Sequence, residues 1–443
     1  MSVKNKSYND YEEILKLGLI KVKQKKYDES KKFFVELINK KSTRYEGYLN
    51  LSNILVLEKK QKEANQILQN YLKNINSHEE IVNGLAINFF NSNDYENLTT
   101  HLDLYLKKFN NHLLNYLKGY CLNNINKTSE SEIFLIKSIE LNNNFWPSYE
   151  LLFNIYEVKS KLVEMRDLIN NSKKIFLEKI NLKYFEALYY FRISNYNKAD
   201  QILNDKLIEG FFHNNTNSSF LVEYYNLLSK NYEKLFNHKK SLSYALKRNK
   251  TIINTDKNKN ITKVELLETI NSYTSFFDVK SRKPPIINNT GLDHSNLTFL
   301  IGFPRSGTTL LDTILRSHSQ TLVIEEKPYL LNVRHDFFKK NKISNLLNIE
   351  DINRIKIQEK YFKSFNYDPT KTIIDKFPLN LIELGFIKTI FPNSKIILAI
   401  RHPLDCILSC VLTAFKINEA MLNFENLKST AFFYNKTFNL LIK

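Results

Sequence analysis

Six residues recur at a nearly constant interval along the front of the chain: Gly18, Ser52, Ala86, Gly119, Phe153 and Ala187 lie 34, 34, 33, 34 and 34 positions apart. This period limits the fold more than any composition does. Twelve residues after each come Ser30, Ala64, Leu98, Ser131, Met165 and Ala199, and sixteen after each come Phe34, Leu68, Leu102, Leu135, Ile169 and Leu203. A small residue on one helix, a small residue on the next and an apolar plug one turn later describe a helix-turn-helix unit. Such a unit cannot bury its apolar face alone and stacks on copies of itself. A seventh unit holds Ser229, Ser241 and Ala245 in the same roles, after a longer Asn-rich loop over 210–219. Phe153 and Met165 are large for their positions, so the periodicity carries the reading rather than any one residue.

Units of this length resemble tetratricopeptide repeats (TPR). The resemblance implies an all-α solenoid of about seven units over 9–250, with a concave surface that docks a polypeptide substrate or partner. Nothing in the units has catalytic spacing. His101, His112 and His238 are scattered and read as solvated or capping side chains, and Trp146, beside Pro147, reads as packing. Residues 251–296 read as a connector with one helix over 262–277 and an exposed link at Pro284 and Pro285.

The chain changes character at 297. Leu297 to Gly302 is an apolar β-type run, followed by the turn Phe303-Pro304-Arg305-Ser306-Gly307 and a helical apolar pattern through Leu310, Leu311, Ile314 and Leu315. A strand, a tight loop and a helix in that order aim backbone N–H groups and a helix N-terminus at one point. That arrangement holds a phosphate or a sulfate. The spacing Gly302-x4-Gly307-Thr308-Thr309 approaches the nucleotide P-loop, but Thr308 stands where that loop carries its lysine. A kinase needs the lysine and a magnesium ion against its β- and γ-phosphates, so a P-loop kinase is disfavoured.

The Pro-Arg-Ser-Gly-Thr-Thr-Leu loop resembles the 5′-phosphosulfate loop of sulfotransferases that use 3′-phosphoadenosine 5′-phosphosulfate (PAPS), and is similar to that of tyrosylprotein sulfotransferases and TPR-containing bacterial relatives. Further matches follow in order. A second β-type run, Thr321 to Ile324, ends in Glu325-Glu326, and the resemblance makes Glu326 the catalytic base. Carboxylates at a strand's C-terminal end lie at the crevice where open α/β sheets bind ligands. The run Thr372-Ile-Ile-Asp-Lys376 stops at Pro378, and Lys376 matches the lysine that steadies charge on the departing oxygen. Arg401 and Ser409, flanking Pro403, match the pair that grips the cofactor's 3′-phosphate. The implied cofactor contacts are thus Pro304, Arg305, Ser306, Gly307, Thr308, Thr309, Arg401 and Ser409, with no metal.

The expected architecture is two domains, an N-terminal all-α TPR solenoid and a C-terminal α/β, P-loop-like parallel sheet of sulfotransferase type over 297–443. A helix is expected over 379–391 and another over 424–442. The resemblance implies further helices beyond the point where this chain stops, 42 residues after Arg401, so a truncated domain is expected. A non-catalytic TPR scaffold with a degenerate sulfotransferase domain is the alternative reading.

The formal charge of +18 invites a nucleic-acid partner, but the lysines are spread over helix faces with no basic stripe interleaved with aromatics. Nucleic acid is therefore not expected, while the charge suits an anionic cofactor and an acidic peptide. Cys121, Cys406 and Cys410 form no zinc pattern or disulfide framework, and no apolar run approaches a membrane span. These features lead to the expectation of a cytoplasmic protein without membrane association; the oligomeric state is left open.

Overall fold

A computed structural model describes the chain except residues 1, 41–42, 76–77, 94, 178, 206–207, 209–210, 212–218, 256–257, 259, 279–293 and 347–348. The Asn-rich loop and the proline-containing link expected from sequence fall largely on residues outside the described ones. The chain forms two compact units, Met1–Asn195 and Tyr196–Lys443. The segment read as one solenoid over 9–250 is thus shared between them.

The first unit is a run of helical pairs: α1 Ser2–Lys23 and α2 Tyr27–Lys40, α3 Tyr45–Leu57 and α4 Gln61–Asn74, α5 Glu79–Asn91 and α6 Tyr95–Lys108, α7 His112–Asn124 and α8 Thr128–Leu141, α9 Trp146–Val158 and α10 Leu162–Lys173, then α11 Ile180–Arg192. Each first helix ends on a left-handed residue, Lys25, Lys59, Asn93, Asn126, Ser160 and Ser194, with φ from 54° to 63°. The next N–H reaches back to the last helical turn, as in Lys60 to the Leu55 carbonyl and Lys161 to the Tyr156 carbonyl, both at 2.8 Å. This is the Schellman termination, and it reverses the chain in two residues without glycine.

The repeat residues meet inside each pair. Ser30 Oγ donates to the Gly18 carbonyl at 2.8 Å, and Ser131 Oγ to the Gly119 carbonyl at 2.6 Å. A Cβ on Gly119 would lie 2.8 Å from Leu135 Cγ, so the plug sits directly on the small residue. Phe153 and Met165 are fully buried, and Phe153 stacks on Phe185 at 4.7 Å, so the larger residues fill the same core position. Trp146 is buried among Tyr149 and Phe176, as expected of packing. His101 and His112 lean on the rings of Phe89 and Phe145 rather than standing in solvent.

The second unit opens with helices α12 Tyr196–Leu203, α13 Ser219–Lys234, α14 His238–Ile253 and α15 Val264–Phe277. The α13–α14 pair is built like the repeats: Ser229 Oγ donates to the Ser241 carbonyl at 2.9 Å, and Phe236 takes the left-handed turn position. Next comes the α/β layer, with β1 Leu297–Gly302, α16 Thr308–Arg316, β2 Thr321–Glu325, α17 Tyr329–Phe338, α18 Asp351–Phe362, β3 Thr372–Lys376, α19 Leu384–Ile390, β4 Lys395–Ala399, α20 Pro403–Leu412 and α21 Leu427–Leu441.

The four strands are parallel in the order β2-β3-β1-β4. Both faces of β1 are covered, which is why its six residues are all buried and read as a continuous apolar run. Phe299 and Ile301 pack with α17, α18 and α19, while Leu300 joins Ile374, Leu311 and Leu315 on the other face. The helix expected over 379–391 is shorter, because Pro378–Leu381 form a 3-10 turn and α19 starts at Leu384. The last helix begins at Leu427, fixed by a capping box between Asn426 and Ser429, rather than at 424.

Candidate active site

The parallel sheet places the C-terminal ends of β1, β2, β3 and β4 on one side, and the loops that leave them carry the residues singled out by sequence. Gly302 faces Ala399 in the β1–β4 register so closely that a Cβ would lie 2.7 Å from the Ala399 carbonyl oxygen and 2.7 Å from Ser306 Oγ. Only glycine allows the loop to fold over the strand end here. Arg305 (φ 70°) and Gly307 (φ 100°) are both left-handed, and Gly307 caps α16. Thr308 and Thr309 open α16, whose first N–H groups have no acceptor within the helix.

Arg305 Nε donates to Ser409 Oγ at 3.1 Å, so the loop after β1 and the helix after β4 are joined side chain to side chain. The Cys410 thiol lies 3.4 Å from the Pro304 carbonyl and makes a second link between the same two elements. Burial pushes the Cys410 thiol well up, which marks it as a core group rather than a nucleophile. Arg401 stands half-exposed between β4 and α20, with Nε 3.5 Å from Asp405 Oδ2. The structure therefore pairs Ser409 with Arg305 and leaves Arg401 beside Asp405.

The β2–β3 end is a compact charge cluster. Glu325 is in register with Lys376, and the Glu326 N–H donates to the Lys376 carbonyl at 2.8 Å, extending the ladder one residue beyond β2. Glu326 then turns with φ 49°, a conformation uncommon for a residue bearing a Cβ. Lys376 is fully buried, with Nζ 2.7 Å from Glu326 Oε1, 3.3 Å from Glu325 Oε1 and 3.6 Å from Asp312 Oδ2. Arg316 bridges the outer side at 2.8 Å from Asp312 and 3.0 Å from Glu325. The buried cation is thus paired on every side, as burial of charge requires. Asp312 went unremarked in the sequence. Its signal is a carboxylate on the buried face of α16, four residues before Arg316.

A cleft of about 500 Å³ runs from this cluster. Pro304, Arg305, Thr308, Thr309 and Glu326 line it together with the apolar Leu331, Phe377, Leu379, Ile382, Phe415 and Met421. Lys376 lies behind Glu326, and Ser306, Gly307, Arg401 and Ser409 lie outside the lining. Glu383 also reaches the cleft from below, held by the Tyr273 hydroxyl at 2.8 Å and by Arg334 at 3.2 Å. Burial holds the Glu383 carboxyl above its ordinary range. Behind the sheet, burial pushes the Asp375 carboxyl up to about 7, against a hydrogen bond donated by Tyr361 at 2.6 Å. Among the described residues no helix is long and apolar enough to cross a membrane.

Parts of the chain match known proteins. Residues 298–441 match the sulfotransferase family. Protein-tyrosine sulfotransferase A of Caenorhabditis elegans is 28% identical over 140 residues, a match that covers 28% of this chain and 37% of that protein. The chain therefore spans little more than a third of the curated relative's length. Among solved structures, similar ones include a tetratricopeptide repeat protein from Parabacteroides merdae (TM-score 0.41, 14% identity, 57% of this chain and 96% of that one). Another is Pseudomonas aeruginosa pilF (TM-score 0.36, 12% identity, 57% and 96%). Residues 298–441 form a sulfotransferase-family domain, which this chain joins to an N-terminal array of helical repeats resembling tetratricopeptide repeat proteins.

Proposed function

We propose that this chain transfers a sulfuryl group from PAPS to the hydroxyl of a polypeptide acceptor. The observation that carries the reading is the 2.7 Å contact between Glu326 and Lys376 beside a cleft lined by Arg305, Thr308 and Thr309. A carboxylate and an ammonium in contact beside an anion-binding loop supply the base and the charge-stabilising group such a transfer needs.

The residues present fit the donor. Ser306 Oγ is buried and has no hydrogen-bond partner among the described residues, and it lies beside the open first turn of α16. An orphaned hydroxyl next to free helical N–H groups suits an anionic oxygen. The Arg305–Thr309 loop would hold the 5′-phosphosulfate, and Arg401 with Ser409 the 3′-phosphate. Arg401 is suited to that role because its contact with Asp405 is too long for a firm hydrogen bond.

When bound, PAPS supplies a sulfur that accepts the acceptor oxygen as its bond to the phosphate oxygen breaks. Glu326 takes the acceptor proton. Lys376 donates to Glu325 and Glu326 with Asp312 close by, and turning the N–H now on Glu326 toward the leaving oxygen would give stabilisation where negative charge grows. The apolar wall of the cleft suits an aromatic hydroxyl such as tyrosine. The repeats would present the polypeptide that carries it. The test is Glu326→Gln, assayed for sulfate transfer to a tyrosine peptide and titrated with 3′-phosphoadenosine 5′-phosphate (PAP). Turnover is expected to vanish while PAP still binds, and normal turnover would overturn the assignment.

A further inference from the structure

Arg248 is 1% exposed and has no carboxylate partner among the described residues. Burial pushes its guanidinium down to about 10, which leaves it charged at neutral pH. Every acceptor it meets is a neutral oxygen. Nε and Nη2 donate to Asn249 Oδ1, and Nη1 to Asn226 Oδ1 at 2.9 Å. The remaining bonds go to three consecutive carbonyls, those of Val411 at 2.8 Å, Leu412 at 3.0 Å and Thr413 at 3.1 Å. These carbonyls lie at the C-terminal end of α20, where the last turn has acceptors without helical donors and the helix dipole favours a cation. An arginine belonging to the last helical pair thus caps the helix that carries Ser409.

Its neighbour completes the contact. Asn249 Nδ2 donates to the Val411 carbonyl at 3.0 Å and to the carbonyls of Phe424 and Glu425 at 3.1 and 3.3 Å. The two side chains therefore hold both ends of one stretch, 411–425. Within it, 413–420 contains no helix or strand, yet Phe415, Asn418, Glu419, Ala420 and Met421 line the cleft. A stretch of this kind needs its ends fixed from outside to keep one shape. Arg248 and Asn249 supply that fixture from α14.

We infer that Arg248 and Asn249 are positioning residues, which clamp 411–425 as the wall of the cleft and, through the end of α20, hold Ser409 against Arg305. Neither touches the cleft's reacting groups. The inference deepens the sulfotransferase reading and rests on it for the role of Ser409, whereas the clamp itself is independent of any ligand. The α13–α14 pair thereby becomes a working part of the site rather than the last unit of a docking array.

The test uses the full chain with Asn249→Ala and Arg248→Lys, read by hydrogen–deuterium exchange and by calorimetric titration with PAP. Lysine keeps the charge but lacks the planar fork that spans three carbonyls. In Asn249→Ala, faster exchange is expected over 411–425, with PAP bound about threefold more weakly than in wild type. In Arg248→Lys, faster exchange should extend into the last turn of α20, and PAP should bind about tenfold more weakly. Unchanged exchange over 411–425 in both variants would overturn the clamp, as would acceleration spread evenly over 196–443. Faster exchange over 411–425 with PAP affinity unmoved in Arg248→Lys would overturn the link to Ser409. Failure of the wild type to bind PAP counts instead against the sulfotransferase reading, and the exchange arm then judges the clamp alone.

Discussion

Arg305 and Ser409, 104 positions apart, share a hydrogen bond of 3.1 Å, and through it the loop after β1 and α20 are held as one surface. The serine hydroxyl accepts from Nε, and Arg305 itself lines the cleft. Ser409→Ala should therefore leave the fold intact and weaken PAP binding about ten- to a hundredfold, the range for losing a hydrogen bond to a charged group. Calorimetric titration with PAP checks this. An affinity within twofold of wild type would separate Ser409 from the ligand.

Lys376 is the structural keystone of the charge cluster as well as a proposed catalytic group. Lys376→Met removes the cation from among Asp312, Glu325 and Glu326, of which Asp312 is almost fully buried. Arg316 still reaches Asp312, so the cost should stay at about 2–4 kcal/mol rather than unfold the chain. Turnover should fall at least a hundredfold beyond that. Urea denaturation and a sulfate-transfer assay separate the two effects.

Asp375 gives the protein a pH signature. Its folded-state value of about 7 lies above the ordinary carboxylate value, so the protonated form favours the fold. Stability from this group is complete in acid below the unfolded value, and it is lost as pH rises toward about 7. Asp375→Asn keeps an acceptor for the Tyr361 hydroxyl and cannot ionise. The variant should match wild type near pH 3 and melt at higher temperature near pH 8. Thermal melts across that range decide the matter.

Gly119→Ala sets two effects against each other in the repeats. Alanine gains about 1 kcal/mol in helix propensity, but its Cβ would stand 2.8 Å from Leu135 Cγ and 2.9 Å from Leu135 Cδ2. Overpacking of that kind costs about 1–3 kcal/mol, so net destabilisation is expected. A chemical denaturation curve with an unchanged or higher midpoint would contradict it.

Phe236 offers the opposite case. It is 83% exposed and holds a left-handed φ of 56°, where a side chain gains little and costs about 1 kcal/mol in backbone strain. Phe236→Gly should raise the stability of the second unit by about 0.5–1 kcal/mol. The denaturation midpoint of the full chain is the measure.

The repeats and the strands were legible because each rests on a local pattern. The 34-residue period returns as left-handed turn residues at the same spacing, and β1, β2 and β3 fall on the apolar runs marked in the sequence. The tight loop between β1 and α16 was legible because Gly302 and Gly307 are needed by the backbone itself. What sequence spacing could not show is pairing across the fold. Ser409 was matched with Arg401, eight residues away, yet it bonds Arg305 from another element. Asp312 and Arg248 escaped notice because their roles depend on Lys376 and on the end of α20, distant in sequence and adjacent only after folding. The helix expected over 379–391 was overextended because apolar periodicity does not register a 3-10 turn begun by Pro378.

The clustering of α13 and α14 with the α/β layer bears on modularity. Recombination that swaps one helical array for another would succeed or fail by where it cuts. A junction just after α14 would hand the new protein a foreign residue in place of Arg248 and expose three carbonyls to whatever came with it. A junction near 195 would carry the pair along intact. The last helical pair is thus inherited with the α/β layer, whatever repeats precede it.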